Sequence, residues 1–414
     1  MHHAGRQHLF FQEHPHSPTW GRPQWGHVSS TDLVHWRRHP PALSPSRAGP
    51  DRDGCWSGCV RLVDDLPTAF YTGVTGHTDA DRLEQVCRAH ARDDGLEHWQ
   101  ADPVPLLAGG PGPGGTGFAR DPFVWKDDQG WHLLLGVAGG VDHHASHDAR
   151  SWRRTGTFWQ SPDGRHVECP QLLRLPGADV LVLSVQGGTP HEPELRVEHA
   201  VGSVVGERFI GEPAGPIEHG DALYAPAAGQ DAEGDWLLWG WVRERVPAAA
   251  LAELGRVGAL SLPWRCSLEG HRLVLRPVAA LDSLRVTADA GALGHQCEVS
   301  ARLGRGGTLW LRFGDEQVEV RAEADAIVID RSRSSRAPWA PTEPVRVPTD
   351  VPIDLRVLLD GSLLTLCVDG RLGAVTRVYP MSAAGTSASC SGDVTALRCW
   401  ALSTRERTRS ANQA

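Results

Sequence analysis

Three Tyr and two Met stand among 414 residues, no Cys-x-x-Cys pair occurs, and no block of Lys and Arg interrupts an acidic balance of -9. Each scarcity excludes something. Without a basic block there is nothing to neutralise a run of phosphates, so a general nucleic-acid binder is excluded. Nine Cys is an odd count with no dense scaffold spacing, so they read as reduced thiols and favour the cytoplasm. No apolar run is long enough to span a membrane, and no charged-then-apolar signal segment opens at Met1. Helical periodicity is almost missing too; the one helical stretch is short, around Ala248 to Leu254.

What the chain has instead is tryptophan, 16 of them, and strands. Short apolar runs such as Thr68-Ala69-Phe70-Tyr71, Trp131 to Val137, Val180 to Val185 and Trp236 to Trp241 are separated by turns rich in Gly, Pro and Asp. Many short strands so punctuated mean a sandwich, barrel or propeller. A weak repeat narrows the choice. Ser30-Thr31-Asp32-Leu33-Val34-His35-Trp36 returns in pattern as Ser146 to Trp152, and more loosely as Asp93 to Trp99. In each, an Asp that can accept turn N–H groups precedes a Trp that can pack between sheets. The interval exceeds the usual propeller repeat of about 40–45 residues, which large blades with long loops accommodate. The pattern changes near Leu284. Beyond it, Thr308 to Phe313, Gln317 to Arg321 and Ile353 to Leu359 alternate apolar and polar residues, as an antiparallel sandwich does. The domains therefore read as 1–284, 285–404 and a polar, disordered tail over 405–414.

Two acidic motifs carry chemistry, Arg120-Asp121-Pro122 and Glu168-Cys169-Pro170. A carboxylate that stays ionised, a second that can hold a proton, and flat aromatic walls are the requirements of glycosidic cleavage. Around them lie His8-Leu9-Phe10-Phe11-Gln12, Trp25-Gly26-His27, Asp32-Leu33-Val34-His35-Trp36, Asp53-Gly54-Cys55-Trp56-Ser57-Gly58 and Phe70-Tyr71-Thr72-Gly73. Later come Tyr224-Ala225-Pro226, Gly240-Trp241, Asp330-Arg331-Ser332 and Val378-Tyr379-Pro380. In order and spacing this set resembles glycoside hydrolase family 32, the β-fructosidases. The resemblance implies an all-β chain: a five-bladed β-propeller followed by a C-terminal antiparallel β-sandwich.

It also implies roles. Glu168 is expected to be the acid/base of a retaining double displacement, which calls for a raised pKa. Asp121 is expected to stabilise the transition state through fructosyl hydroxyls, kept ionised by Arg120, which can itself reach the substrate. Gln12, Trp20, Trp56, Ser57 and Trp241 match positions lining the fructosyl subsite. The expected substrate is sucrose or a β-fructan, with no metal or other cofactor.

The departures are equally specific. The family's Met-Asn-Asp-Pro-Asn-Gly box, which carries the nucleophile, has no counterpart, and Asp32, Asp51 and Asp53 stand in other contexts. The expectation is that this box lies upstream of Met1, leaving the first blade short of its inner strand; a degenerate copy is the other explanation. Leu262-Pro263-Trp264-Arg265 carries an extra Trp. Thr365 and Cys367 stand where the family usually has Glu and Phe. The glycines of Gly109 to Gly117 lack the Gly-Lys-Ser/Thr that would cradle phosphate. Asp142-His143-His144 and His147 read as a solvated loop. Two rival functions stand beside the hydrolase: a non-catalytic fructan- or sucrose-binding propeller, and an inverting five-bladed glycosidase acting on arabinans.

Overall fold

The computed structural model describes residues 1–18, 21–78, 81–109, 119–188, 193–255 and 257–403. Its elements are strands, with two short 3-10 turns at Ala248–Leu254 and Ala279–Leu284. Two compact units divide between Arg276 and Pro277; the 3-10 turn over Ala279–Leu284, read from the sequence as the close of the first domain, lies in the second unit. The short segment Asp32–His35 is also grouped with the second unit. The tail over 405–414 falls outside the described residues.

The first unit is a five-bladed propeller. Four blades are meanders of four antiparallel strands in chain order. The first comprises His2–His3, Arg6–Glu13, Gln24–Ser30 and Arg37–Leu43; the second Gly54–Val63, Leu66–Thr75, Leu83–Ala91 and Trp99–Ala101. The third comprises Arg120–Asp127, Gly130–Val137, Gly140–Ser146 and Arg153–Gln160; the fourth His166–Leu175, Ala178–Gly188, Pro193–Val205 and Arg208–Pro216. In the fifth, Leu223–Gln230 and Trp236–Val242 are followed by a third strand split into Ala259–Leu260 and Trp264–Glu269, then Arg272–Pro277. The split falls at Leu262-Pro263, where a proline cannot donate to a ladder, and the extra Trp264 is fully buried.

The apolar runs visible in the sequence are the second strands of blades two to five. Each lies between two ladder partners and is covered on both faces, so alternation gives way to a continuous apolar stretch; Pro67 to Thr75 are all buried. Cores form between blades. Phe123, Leu134, Val141 and Phe158 of the third pack with Leu172, Leu181, Leu183 and Phe209 of the fourth. Each such side chain contributes roughly 1.5–3 kcal/mol.

The Asp-to-Trp repeat is the turn from third to fourth strand in blades one to three. Asp32 accepts the N–H of Val34 and His35, Asp93 those of Glu97 and His98, and Asp148 those of Arg150 and Ser151. One reading needs correction. Asp142-His143-His144 is a strand, not a solvated loop. His143 and His144 are buried, and the chain Asp127–His132–His143–Thr155 satisfies the first of them through ring nitrogens at 2.8, 2.9 and 2.7 Å. Cys55 and Cys59, four apart on one strand, are thrown out of phase by a bulge between Cys55 and Gly58. Cys55 turns to Asp51, while the Cys59 sulfur accepts the Val124 N–H.

The second unit is a sandwich. One sheet runs, in spatial order, Arg285–Thr287, Val394–Leu402, Gln296–Leu303, Ile353–Asp360, Leu363–Val368 and Arg371–Arg377; the other runs Val345–Pro348, Ala326–Asp330, Glu316–Ala322, Thr308–Phe313 and Ser387–Ser391. Period-two burial is clean along Glu316–Ala322, and Leu309, Leu311, Val318, Val320, Val357 and Leu366 belong to its core.

Candidate active site

One local device recurs where the first strands of successive blades pack together. In blades two to five the first strand carries one residue more than its partner: between Cys55 and Gly58, Arg120 and Phe123, Glu168 and Gln171, and Tyr224 and Ala227. This is a β-bulge, which bends the strand and re-aims a side chain. In the last three blades it has one sequence form, a residue followed by a second with positive φ and then Pro: Arg120-Asp121-Pro122, Glu168-Cys169-Pro170 and Tyr224-Ala225-Pro226. The middle residues Asp121, Cys169 and Ala225 have φ of 62°, 47° and 46°. Such a conformation is uncommon outside Gly and persists only where the surroundings enforce it. Proline suits the third place, because the interrupted ladder asks no N–H of it.

The leading residues converge. Glu168 Oε1 accepts Arg120 Nε–H at 3.0 Å and Nη2–H at 2.7 Å; Oε2 accepts the Tyr224 hydroxyl at 2.6 Å and Gln186 Nε2–H at 2.7 Å. Arg120 Nη1 donates to both oxygens of Glu84 at 3.0 Å, and Nη2 also donates to His166 Nε2 at 2.8 Å. Glu84 is fully buried and takes Arg82 Nε–H at 3.1 Å; the Arg82 guanidinium lies over the Trp56 ring. Asp121 turns the other way. Its backbone N–H donates to Thr72 Oγ1 at 2.9 Å, and its Oδ2 accepts Cys169 N–H at 3.0 Å and faces the Cys169 sulfur at 3.4 Å.

Of the remaining expected residues, Gln12 Nε2 donates to Ser57 Oγ at 2.7 Å, while Gln12 Oε1 is buried with no partner among the described residues. Trp241 pairs across the strand with Tyr224 and is 40% exposed, which puts it at the rim. Trp20 lies outside the described residues. Four members of the cluster were not among the expected site residues: Glu84, His166, Gln186 and Tyr224.

Two electrostatic expectations are reversed. Burial pushes the Glu168 carboxyl up, but the Arg120 charge and the bonds from Tyr224, Arg120 and Gln186 outweigh it, so its pKa falls below the ordinary value rather than rising. Burial pushes Asp121 up; Arg120 opposes this, Glu168 adds to it, and the net value is about 6. The reason for Asp121 is its burial, which the Arg120 charge does not outweigh. Arg120 is the sequence neighbour of Asp121, yet its fork closes on Glu168. Tyr224 is pushed up by burial and by Glu168, so its hydroxyl stays protonated and donates.

A stability prediction follows from Asp121. Its folded value near 6 lies above the ordinary 3.8, so the fold binds this proton more tightly than the unfolded chain does. That favours the fold below about pH 4, and the contribution is lost as pH rises through about 6. Asp121→Asn removes the titration and keeps an oxygen for the Cys169 N–H. Thermal melts are expected to show the variant more stable by roughly 1–3 kcal/mol at about pH 7–8, with the difference vanishing near about pH 4. A difference that is constant with pH would contradict the assignment.

Comparison with known proteins bears on this geometry. The model of the glycosyl hydrolases family 32 N-terminal domain matches residues 1–277. The sucrose-6-phosphate hydrolase of Zymomonas mobilis subsp. mobilis is 30% identical over 304 residues, covering 68% of this chain and 59% of that protein. The Bacillus subtilis sucrose-6-phosphate hydrolase is 30% identical over 305 residues, covering 68% and 62%. The chain thus spans about six-tenths of the length of these relatives. Among solved structures, sucrose-6-phosphate hydrolase from Lactobacillus gasseri aligns with a TM-score of 0.85 at 23% identity, covering 97% of this chain and 89% of that one. A mutant β-fructofuranosidase of Bombyx mori in complex with sucrose aligns at 0.82 and 25% identity, with the same coverage.

Proposed function

The chain belongs to glycosyl hydrolase family 32, and on that footing we propose that it is a glycosidase of the β-fructofuranosidase type, releasing fructose from sucrose or a β-fructan. The observation that carries the reading is the joining of Asp121 and Glu168 through Cys169. Adjacent first strands bring two carboxylates with unlike surroundings to one end of the propeller. In this reading Glu168 protonates the departing glycosidic oxygen and then takes a proton from water. Asp121 accepts hydrogen bonds from fructosyl hydroxyls. Gln12 offers its unpartnered buried oxygen, with Ser57 beside it, to the same sugar, and Trp56 and Trp241 supply apolar walls.

Acid work by Glu168 needs its proton, and the Arg120 clamp opposes that. A bound sugar that expels water from the cluster supplies the missing upward push, because desolvation disfavours the charged form. A retaining double displacement also needs a nucleophilic carboxylate about 5–5.5 Å from the acid. Asp121 and Glu84, the other carboxylates in the cluster, are engaged by Cys169 and Arg120, and the nucleophile's part is assigned to no described residue. All nine Cys are free thiols, which supports a reducing compartment such as the cytoplasm.

The test pairs calorimetric titration of sucrose with chromatography of the sugars released from sucrose, sucrose-6-phosphate, inulin and levan. Saturable sucrose binding displaced by fructose but not by glucose is the expected result; release of fructose further requires the nucleophilic carboxylate that no described residue supplies. Absence of both binding and release would overturn the proposal.

A further inference from the structure

A guanidinium has five N–H donors in a fixed planar fork. In Arg120 every nitrogen has a protein acceptor: Nε on Glu168 Oε1, Nη1 on both Glu84 oxygens, and Nη2 on Glu168 Oε1 and His166 Nε2. The acceptors come from two strands, Leu83–Ala91 for Glu84 and His166–Leu175 for Glu168 and His166, and Arg120 itself opens a third, Arg120–Asp127. An arginine at such a site is readily taken for a substrate ligand, and here it is bound on every side by the protein.

We propose that Glu84 and His166 are positioning residues for Glu168, acting through Arg120, whose fork they hold in the one orientation that closes on Glu168 Oε1. This rests on the reading of Glu168 as the acid/base. The contact restrains the fork, because Glu84 is fully buried and accepts from Nη1 with both oxygens. His166 fixes its remaining freedom. It lies two residues before Glu168 on the same strand, hence on the same face, and takes the Nη2 hydrogen that would otherwise swing toward the pocket. An arginine N–H can only donate, so His166 Nε2 must be the bare nitrogen and the ring proton must sit on Nδ1. Burial, and then the Arg120 charge, keep that ring neutral. Sugar recognition therefore falls to Asp121, Gln12 and Ser57, while Arg120 governs how readily Glu168 gives up and regains its proton.

The groups facing Glu168 are Arg120, Asp121, Cys169, Tyr224 and His166, with Glu84 behind Arg120. Replacing Glu84 by Gln deletes a negative charge from this set and leaves Arg120 to Glu168 and Asp121. Ionised Glu168 is then favoured, and its titration is expected to move down by about one pH unit.

Two measurements on the purified chain test this without relying on turnover. Long-range proton–nitrogen correlation on the histidine-labelled protein, with His166 assigned by its loss in His166→Gln, is expected to show the Nδ1–H tautomer. An Nε2–H tautomer would overturn the proposal, and this readout needs no variant of Glu84 to fold. Carboxyl-carbon titration of glutamate-labelled protein, with Glu168 assigned through Glu168→Gln, is expected to show the downward shift in Glu84→Gln; an unmoved Glu168 in a folded Glu84→Gln would also overturn it. Sucrose titration of the same samples separates the two readings. Failure to bind sucrose counts against the fructoside assignment, and an unmoved titration counts against the positioning role.

Discussion

Arg120→Leu is expected to destabilise the propeller by about 3–5 kcal/mol, because it leaves two buried carboxylates without their shared cation. Glu84 has no solvent exposure and the Glu168 side chain only 14%. Arg82 still touches one oxygen of Glu84 through Nε–H, but from a position that is itself partly exposed. A drop in melting temperature on the order of 10 °C is the expected readout for a unit of this size. The pair Glu84→Gln with Arg120→Leu distinguishes an unpaired charge from lost packing. If the unpaired Glu84 charge is the cause, the double variant regains part of the stability that Arg120→Leu loses. If packing is the cause, the two losses add.

The strands of this fold were legible because the second strand of each later blade is covered on both faces. Val180 to Val185 and Trp236 to Trp241 therefore stand out as apolar runs within Ala178–Gly188 and Trp236–Val242. The turns were legible because an Asp accepting two backbone N–H groups is a local device, written in adjacent residues. The carboxylates of the site were legible for a different reason, since each sits in a tripeptide that forms a bulge. Tyr224 belongs to the same series. Aligning Arg120-Asp121-Pro122 and Glu168-Cys169-Pro170 with Tyr224-Ala225-Pro226 would have put its hydroxyl beside Glu168 before any coordinates existed.

Glu84, Gln186 and His166 had no such mark. They sit within ordinary strand sequence on two different blades, and only the stacking of blade against blade brings the first of them to Arg120. The direction of the two pKa shifts was misread for a related reason. Adjacency in sequence suggested that Arg120 alone sets the state of Asp121, but burial outweighs that charge. The cation closes on Glu168 of the next blade, and Asp121 is left with the Cys169 N–H. The buried histidines of the third blade repeat the lesson. Asp142-His143-His144 is polar enough to pass for a loop, and what makes it a strand is a chain of ring hydrogen bonds to partners up to 16 residues upstream and 12 downstream.

With a nucleophilic carboxylate in place, Glu168→Gln is expected to lower fructose release from sucrose by about 10²–10⁴-fold, the range of a lost general acid. The replacement is nearly isosteric, and the bonding explains why the fold should accept it. The amide oxygen can receive the Arg120 Nε and Nη2 hydrogens that Glu168 Oε1 receives now. The amide nitrogen can donate to the Tyr224 oxygen, and Gln186 need only present its own oxygen in place of its nitrogen. Arg120 keeps Glu84 as its counter-charge. Sucrose affinity should therefore stay within a few-fold of the parent while turnover falls, which makes the loss one of transition-state stabilisation rather than of uniform binding. The leaving group supplies an internal control. A nitrophenolate departs without protonation, so a nitrophenyl fructoside should lose far less in its first step than sucrose does. Equal losses with both substrates would mean that Glu168 acts only on later hydrolysis or on the shape of the pocket. In that case the clamp of Glu84, Arg120 and His166 would hold a structural carboxylate, and the acid would have to be sought elsewhere on the propeller.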